Sequence, residues 1–169
     1  MTPFQEKWNS YKVWNDKEIR GFFGADDYRF LSNFEPCEIY LDGFSFPSVE
    51  HAYQIAKIGR LTNNPNLNPA VISQFQNIKA NEAKNLGRKL LLRPDWEEIK
   101  AKIMFELVLQ KFAFNDKLRE KLLATGNKYL EETNHWNDEF YGVNCYTKKG
   151  KNMLGKILMG TREILKTIS

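Results

Sequence analysis

The sequence predicts an α+β fold, mostly helical, built as one compact domain with short N-terminal strands and a C-terminal helix. Three observations predict it. Strand-like runs are confined to the first third, helical apolar spacings fill the middle, and the segment from Asn152 onward carries a continuous apolar stripe. A length of 169 residues is that of one domain. No repeat or composition shift divides it, so residues 1–169 are read as a single domain.

The elements follow in order. Ile19 to Phe23 reads as the first strand. Glu38 to Leu41 and Phe44 to Phe46 read as a hairpin around Asp42-Gly43, a dipeptide that adopts the left-handed backbone a tight turn needs. Pro47-Ser48 then opens a helix with Ser48 as N-cap. Val49, Ala52, Tyr53 and Ala56 fall at i, i+3, i+4 and i+7, the spacing of a buried stripe, while Glu50, Gln54 and Lys57 share an adjacent face. Thr62 to Pro69, dense in Asn and Pro, reads as a loop. Helices are expected over Val71–Gln76, Glu82–Arg88, Asp95 to near Phe112, and Lys117–Ala124, the last stopped by Gly126. Asp95 and Glu98 have the spacing of a capping box, and Trp96, Ile99, Ile103, Leu107 and Val108 give that helix its apolar side. Leu130 and Phe140–Cys145 read as extended. The final helix carries Leu154, Ile157, Leu158, Thr161, Leu165 and Ile168 on one side.

Composition narrows the function. Hydrophobic residues make up 42%, enough for one core, and an aromatic share of 14% argues against extensive disorder. No apolar run approaches the roughly 18 residues of a membrane span, and Met1 to Trp8 shows no signal-peptide core. A soluble, cytoplasmic protein with no membrane partner is expected. The 25 basic against 21 acidic residues give a net charge of +4. That mild excess favours an anionic partner such as a phosphate or nucleic acid, without the dense basic stripe that duplex DNA demands. Cys37, Cys145, His51 and His135 show no metal-ligand spacing, so no metal and no cofactor are expected.

Four constellations can carry chemistry. Glu50 sits in the first turn of its helix, where the dipole favours the ionised form, and such a carboxylate can activate water or stabilise a cation. Periodicity alone favours the plainer reading, a surface carboxylate complementing the dipole. Lys57, about two turns on, can bind a phosphate or act as a nucleophile if burial lowers its pKa; spacing alone favours a solvated lysine. His51 reads as structural. Phe30-Leu31-Ser32-Asn33-Phe34 offers rings to stack and an amide to read hydrogen bonds, although the residues alone favour two core phenylalanines around a polar turn. Asn134 to Val143 gathers carboxylates, aromatics and amides. Gly150 to Lys156 makes a glycine-containing lead-in to the last helix that can cradle a phosphate. It lacks the full P-loop pattern, which excludes a nucleoside triphosphatase.

In combination these pieces resemble the NADAR (YbiA-like) family. The matching segments are Phe23-Gly24, Phe30 to Phe34, Phe46 to Gln54 with Lys57, and Gly87-Arg88; then Met104 with Lys111-Phe112, Thr125-Gly126, Tyr141 to Val143, and Gly150 to Met159 with Arg162. They span roughly Gly21 to Leu165, taken as the domain core (about 21–165). The resemblance implies hydrolysis of an N-glycosidic bond between ribose and a base. Implied substrates are a phosphorylated ribosylaminopyrimidine of early riboflavin synthesis and ADP-ribose attached to guanine. It implies Glu50 as base or cation stabiliser, and Asp138 as a partner that orients ribose or water. Lys57 becomes either phosphate ligand or a nucleophile forming a Schiff base at the anomeric carbon. Phe23, Gly24, Ser32, Asn33, Phe34, Arg88, Trp136, Tyr141 and Asn152 are the substrate-binding positions it implies. Tyr141 departs from the Trp usual in the family. Glu50, Lys57, Asn33 and Asp138 are expected to share one cleft. A small phosphorylated riboside or ADP-ribosyl-guanine is the expected partner, ahead of a nucleic acid. The alternative from another class is a non-catalytic module binding ADP-ribose, a nucleotide or nucleic acid; two carboxylates in the pocket speak against a pure anion binder.

Overall fold

The computed structural model describes residues 1–24, 26–65 and 67–169. In chain order the elements are α1 (Pro3–Asn9), β1 (Val13–Trp14), β2 (Glu18–Arg20), a 3₁₀ turn (Arg29–Leu31), β3 (Ile39–Leu41), β4 (Phe44–Phe46), α2 (Val49–Ala56), α3 (Pro69–Asn77), α4 (Ala80–Gly87), α5 (Trp96–Ala113), α6 (Asp116–Ala124), β5 (Tyr129–Glu131), β6 (Thr133–Asn134), β7 (Val143–Asn144) and α7 (Met153–Ile168). The class is α+β and mostly helical, as the sequence predicts. Two compact units make up the chain: residues 1–32 with 116–169, and residues 33–115. None of the helices among the described residues is long and apolar enough to cross a membrane.

In the first unit, β2 pairs antiparallel with β1 and parallel with β5, placing Ile19 opposite Leu130. Both are fully buried. Helix α7 packs along β5 with Leu154, Leu158 and Leu165 turned inward. Gly155 permits that approach, because a Cβ there would lie 2.1 Å from the Leu130 carbonyl oxygen. The short parallel pair β6–β7 joins Thr133 to Val143 and Asn134 to Asn144.

The second unit is built around α2. The β3–β4 hairpin turns on Asp42 (φ 50°) and Gly43 (φ 84°), the left-handed pair expected of Asp-Gly. Helices α3, α4 and α5 and both hairpin strands pack on α2. All eight of its residues, Val49 to Ala56, are therefore buried rather than a single stripe.

Four differences from the sequence reading have physical causes. Helix α1 is additional: Thr2 and Gln5 form a reciprocal capping box and Pro3 occupies the first helical position. Strand β2 ends at Arg20 because Gly21 turns to φ 76°. Asp95 stands at the start of α5 without capping it, since Arg93 takes both of its carboxylate oxygens at 2.6 and 3.0 Å. Residues 140–142 form a turn rather than strand, held by Asp138. The expected loop at 62–69 includes Asn66, which lies outside the described residues.

Candidate active site

The second unit holds Asn33, Phe34, Glu50, Lys57 and Arg88. The start of α2 is fixed first. Ser48 Oγ accepts the His51 backbone N–H at 3.3 Å, and the hydroxyl and His51 Nδ1 lie 2.6 Å apart. On the other side of the ring, His51 Nε2 sits 2.8 Å from the Ile78 carbonyl, an acceptor that requires the proton on Nε2. Burial pushes the histidine's pKa down. This neutral, doubly bonded ring is structural, as the sequence suggests.

One residue earlier, the Glu50 backbone N–H donates to the Asn33 carbonyl at 3.1 Å, tying Asn33 to the helix start. Glu50 itself is only 6% exposed. The surface-carboxylate reading is thereby overturned, because strands and helices of the same unit enclose α2 on every side. Its Oε1 accepts a hydrogen bond from Gln54 Nε2 at 2.7 Å, one turn along the helix.

Lys57 caps the C-terminal end of α2 and is half-buried. Its Nζ lies 5.8 Å from the centre of the Tyr53 ring, which packs at 5.1 Å against Trp96. Burial pushes the lysine's pKa down; the Glu50 carboxylate draws it back up, and the charges of Arg88, Lys84 and Lys100 push it down further. Lys84 also sits 5.9 Å over the ring of Phe34. A buried carboxylate and a lysine of reduced basicity thus share one field with three further cations. Such a set can stabilise positive charge on a sugar, supply a free amine, and hold a phosphate. Sequence reasoning missed Lys84, Lys100 and the Gln54 contact. The i, i+4 spacings of Glu50 with Gln54 and of Lys84 with Arg88 were the available signals.

The first unit holds Phe23, Gly24, Ser32, Trp136, Asp138, Tyr141 and Asn152. Phe23 packs against Trp136, Trp8 and His135 at ring-centre distances of 4.9, 5.4 and 5.8 Å. Phe23, Gly24, Phe4, Trp8 and Trp14 line a cleft of about 940 Å³. Ser32 closes the 3₁₀ turn by donating its N–H to the Arg29 carbonyl at 2.8 Å. Asp138 Oδ1 accepts the backbone N–H groups of Phe140 (3.1 Å) and Tyr141 (2.9 Å). Asn134 grips the same aspartate from behind, its Oδ1 accepting the Asp138 N–H and its Nδ2 donating to the Asp138 carbonyl. The carboxylate therefore shapes the turn that carries Tyr141.

Asn152 is committed within its own unit. Its Oδ1 accepts the Glu132 N–H at 3.0 Å, and its Nδ2 donates to the Leu130 carbonyl at 2.9 Å and the Tyr129 hydroxyl at 3.1 Å. The phosphate cradle expected at the lead-in to α7 does not form. The N–H groups of Lys151, Asn152, Met153 and Leu154 all donate to the carbonyls of Glu139, Gly142, Phe140 and Tyr141. No amide of that group is left for a ligand.

A family model described as the NADAR domain matches residues 21–166, running through both units. The chain is 36% identical to an N-glycosidase of Nostoc punctiforme over 94% of its own length and 92% of that protein's. A riboflavin biosynthesis protein of Vibrio vulnificus is 37% identical over 85% of this chain, which spans 38% of that relative's length. Among solved structures, the NMR structure of the E. coli protein YbiA matches with a TM-score of 0.75 and 32% identity, covering 94% of this chain and 90% of that one.

Proposed function

This chain belongs to the NADAR domain family, and on that premise we propose that it is an N-glycosidase cleaving the C–N bond between a phosphorylated ribose and a nucleobase-like amine. The observation that carries the reading is the pairing of a buried carboxylate, Glu50, with a lysine whose pKa its surroundings depress. Cleavage of a ribosyl C–N bond passes through an oxocarbenium-like state, and a carboxylate fixed in a desolvated site opposes that positive charge strongly. The Lys57 amine attacks the anomeric carbon as the C–N bond breaks, and the base leaves with the bonding electron pair and a proton. The leaving base takes its proton from the attacking amine. Ring opening then gives an iminium on Nζ as the ring oxygen takes one proton from solvent, which is restored when Glu50 passes the proton it receives from water back to solvent. Water adds to the iminium carbon, Glu50 takes its proton, and ribose departs as the amine is regenerated. Arg88, Lys84 and Lys100 supply charge for the substrate's phosphate. The naming of relatives for N-glycosidase activity and riboflavin biosynthesis supports the same reaction class.

The substrate is either a ribosylaminopyrimidine phosphate or ADP-ribose carried on guanine, both ahead of an intact nucleic-acid duplex. A net charge of +4 without a basic stripe argues against an intact duplex. A cytoplasmic setting belongs to the same proposal, and the free thiols of Cys37 and Cys145 fit it. Mass spectrometry of products tests the reading on a panel of ribosylaminopyrimidine phosphate, ADP-ribosylated guanosine and ADP-ribosylated DNA. Free base and the matching sugar are expected from at least one of the first two. Tight binding by calorimetry with no base released from any substrate would overturn it.

Asp138 is proposed as a partner that orients ribose or water, a role separable from its hold on the turn. Asp138→Asn keeps an Oδ1 acceptor for the Phe140 and Tyr141 amides while removing the charge. The variant is expected to melt within about 2 °C of the wild type, the shift of about 0.7 kcal/mol or less, yet to lose activity by about 10-fold or more. Unchanged activity with Asp138→Asn, and loss only with Asp138→Ala, would reduce Asp138 to a turn residue.

A further inference from the structure

We propose that Gln54, seated against Gly87, is the positioning residue that holds the Glu50 carboxylate in its reactive orientation; the inference rests on the assignment of Glu50 above. Gln54 Nε2 donates to Glu50 Oε1 at 2.7 Å across one turn of α2. The carboxylate oxygen there is an acceptor, so the amide must present its NH₂ to Glu50 and turn its own oxygen away. That oxygen is buried and meets no hydrogen-bond donor among the described residues. A buried acceptor without a donor is destabilising, and an apolar side chain of similar length avoids the loss. Stability alone does not account for glutamine here.

Gly87 points the same way. It is the last residue of α4 and has no positive φ, so the backbone conformation does not demand glycine. Alanine is the better helix former at such a position. Space is what demands it: a Cβ on residue 87 would lie 2.0 Å from Gln54 Oε1, 2.7 Å from Cδ and 3.0 Å from Cβ. The amide packs where a side chain of residue 87 would otherwise stand. Both positions depart from the locally stable choice, and one arrangement follows from the pair: an amide clamped between α4 and the Glu50 carboxylate. The obstructing atoms are mostly the far end of a flexible side chain, so a methyl group at 87 swings the amide away at little cost to the fold.

A double-mutant cycle tests this. Base release from ribosylaminopyrimidine phosphate is compared for the wild type, Gly87→Ala, Gln54→Met and the double variant. Methionine keeps the length and volume of the side chain and protects the fold. Each single variant is expected to lower kcat by about 10- to 100-fold, the scale of a misplaced reacting group, with KM changed by less than about twofold. In the Gln54→Met background, adding Gly87→Ala is expected to cost nothing more, because the group it displaces is gone. An equal cost of Gly87→Ala with and without Gln54, or lowered melting temperatures with kcat unchanged, would overturn the proposal. A second arm does not depend on turnover. The Gln54 side-chain NH₂ resonances, assigned by their loss in Gln54→Met, are expected to exchange slowly with water in the wild type and rapidly in Gly87→Ala. Rapid exchange in the wild type overturns the positioning role. Absence of base release from the wild type on every substrate is instead the failure of the N-glycosidase reading, and the resonance arm still decides the clamp.

Discussion

Glu50→Gln is expected to abolish base release, a loss on the order of 10²–10⁴-fold in kcat/KM, while the protein folds as before. The substitution is close to isosteric and keeps an oxygen that can accept the Gln54 Nε2 hydrogen bond now made at 2.7 Å. Burial at 6% exposure is no obstacle, since an uncharged amide is less costly to bury than a carboxylate. What disappears, under the proposed mechanism, is the charge that opposes the oxocarbenium ion and the base that accepts the proton of water. Activity assays beside a melting curve check both halves. Turnover at the wild-type level would remove Glu50 from the chemistry, and collapse of the fold would be answered by Glu50→Asp.

Lys57→Arg separates the two roles open to the lysine. Arginine keeps the positive charge and can still bind a phosphate, but it stays protonated and cannot form an iminium. If Lys57 is the nucleophile, Lys57→Arg falls by about 10³-fold or more, as expected when a covalent catalyst is removed. Borohydride added during turnover then traps a wild-type adduct heavier by the reduced sugar phosphate. Retention of most activity in Lys57→Arg, with no trapped adduct, would make Lys57 a phosphate ligand. The pH dependence carries a sign of its own. An amine attacks only when deprotonated, so kcat/KM rises with pH through the lysine's pKa and then levels. Burial, with the charges of Arg88, Lys84 and Lys100, places that rise below the ordinary lysine range of 10.5. Arg88→Gln removes one of the downward influences and is expected to shift the rise to higher pH.

Local rules with strong side-chain signals were legible in the sequence. Ser48 capping α2, Asp-Gly turning the β3–β4 hairpin and the apolar side of α7 all appear where spacing and cap chemistry put them. The site was legible as residue types: Glu50, Gln54 and Lys57 on one face of a helix. Burial was not. A charged residue in a first turn reads as solvated until the packing of five other elements around α2 is known. The same limit explains Asp95 and Asp138. An aspartate advertises a cap, but whether it serves a helix, a guanidinium two residues back or a turn two and three residues ahead is decided by which donor arrives first in space. The lead-in to α7 failed as a phosphate cradle for a related reason: glycine and lysine spacing signals free amides, whereas here the carbonyls of residues 139–142 already occupy them.

The complete enclosure of α2 has a dynamic consequence. Segments open independently when they have solvent-exposed backbone bonds and few buried neighbours, and the stretch from Val49 to Ala56 has neither weakness. The carboxylate therefore rides on a part of the molecule that cannot breathe without its unit coming apart. Heating loosens termini and surface turns first and leaves the alignment of Glu50 intact. Misalignment of Glu50 and loss of fold in residues 33–115 are thereby fused into a single cooperative event.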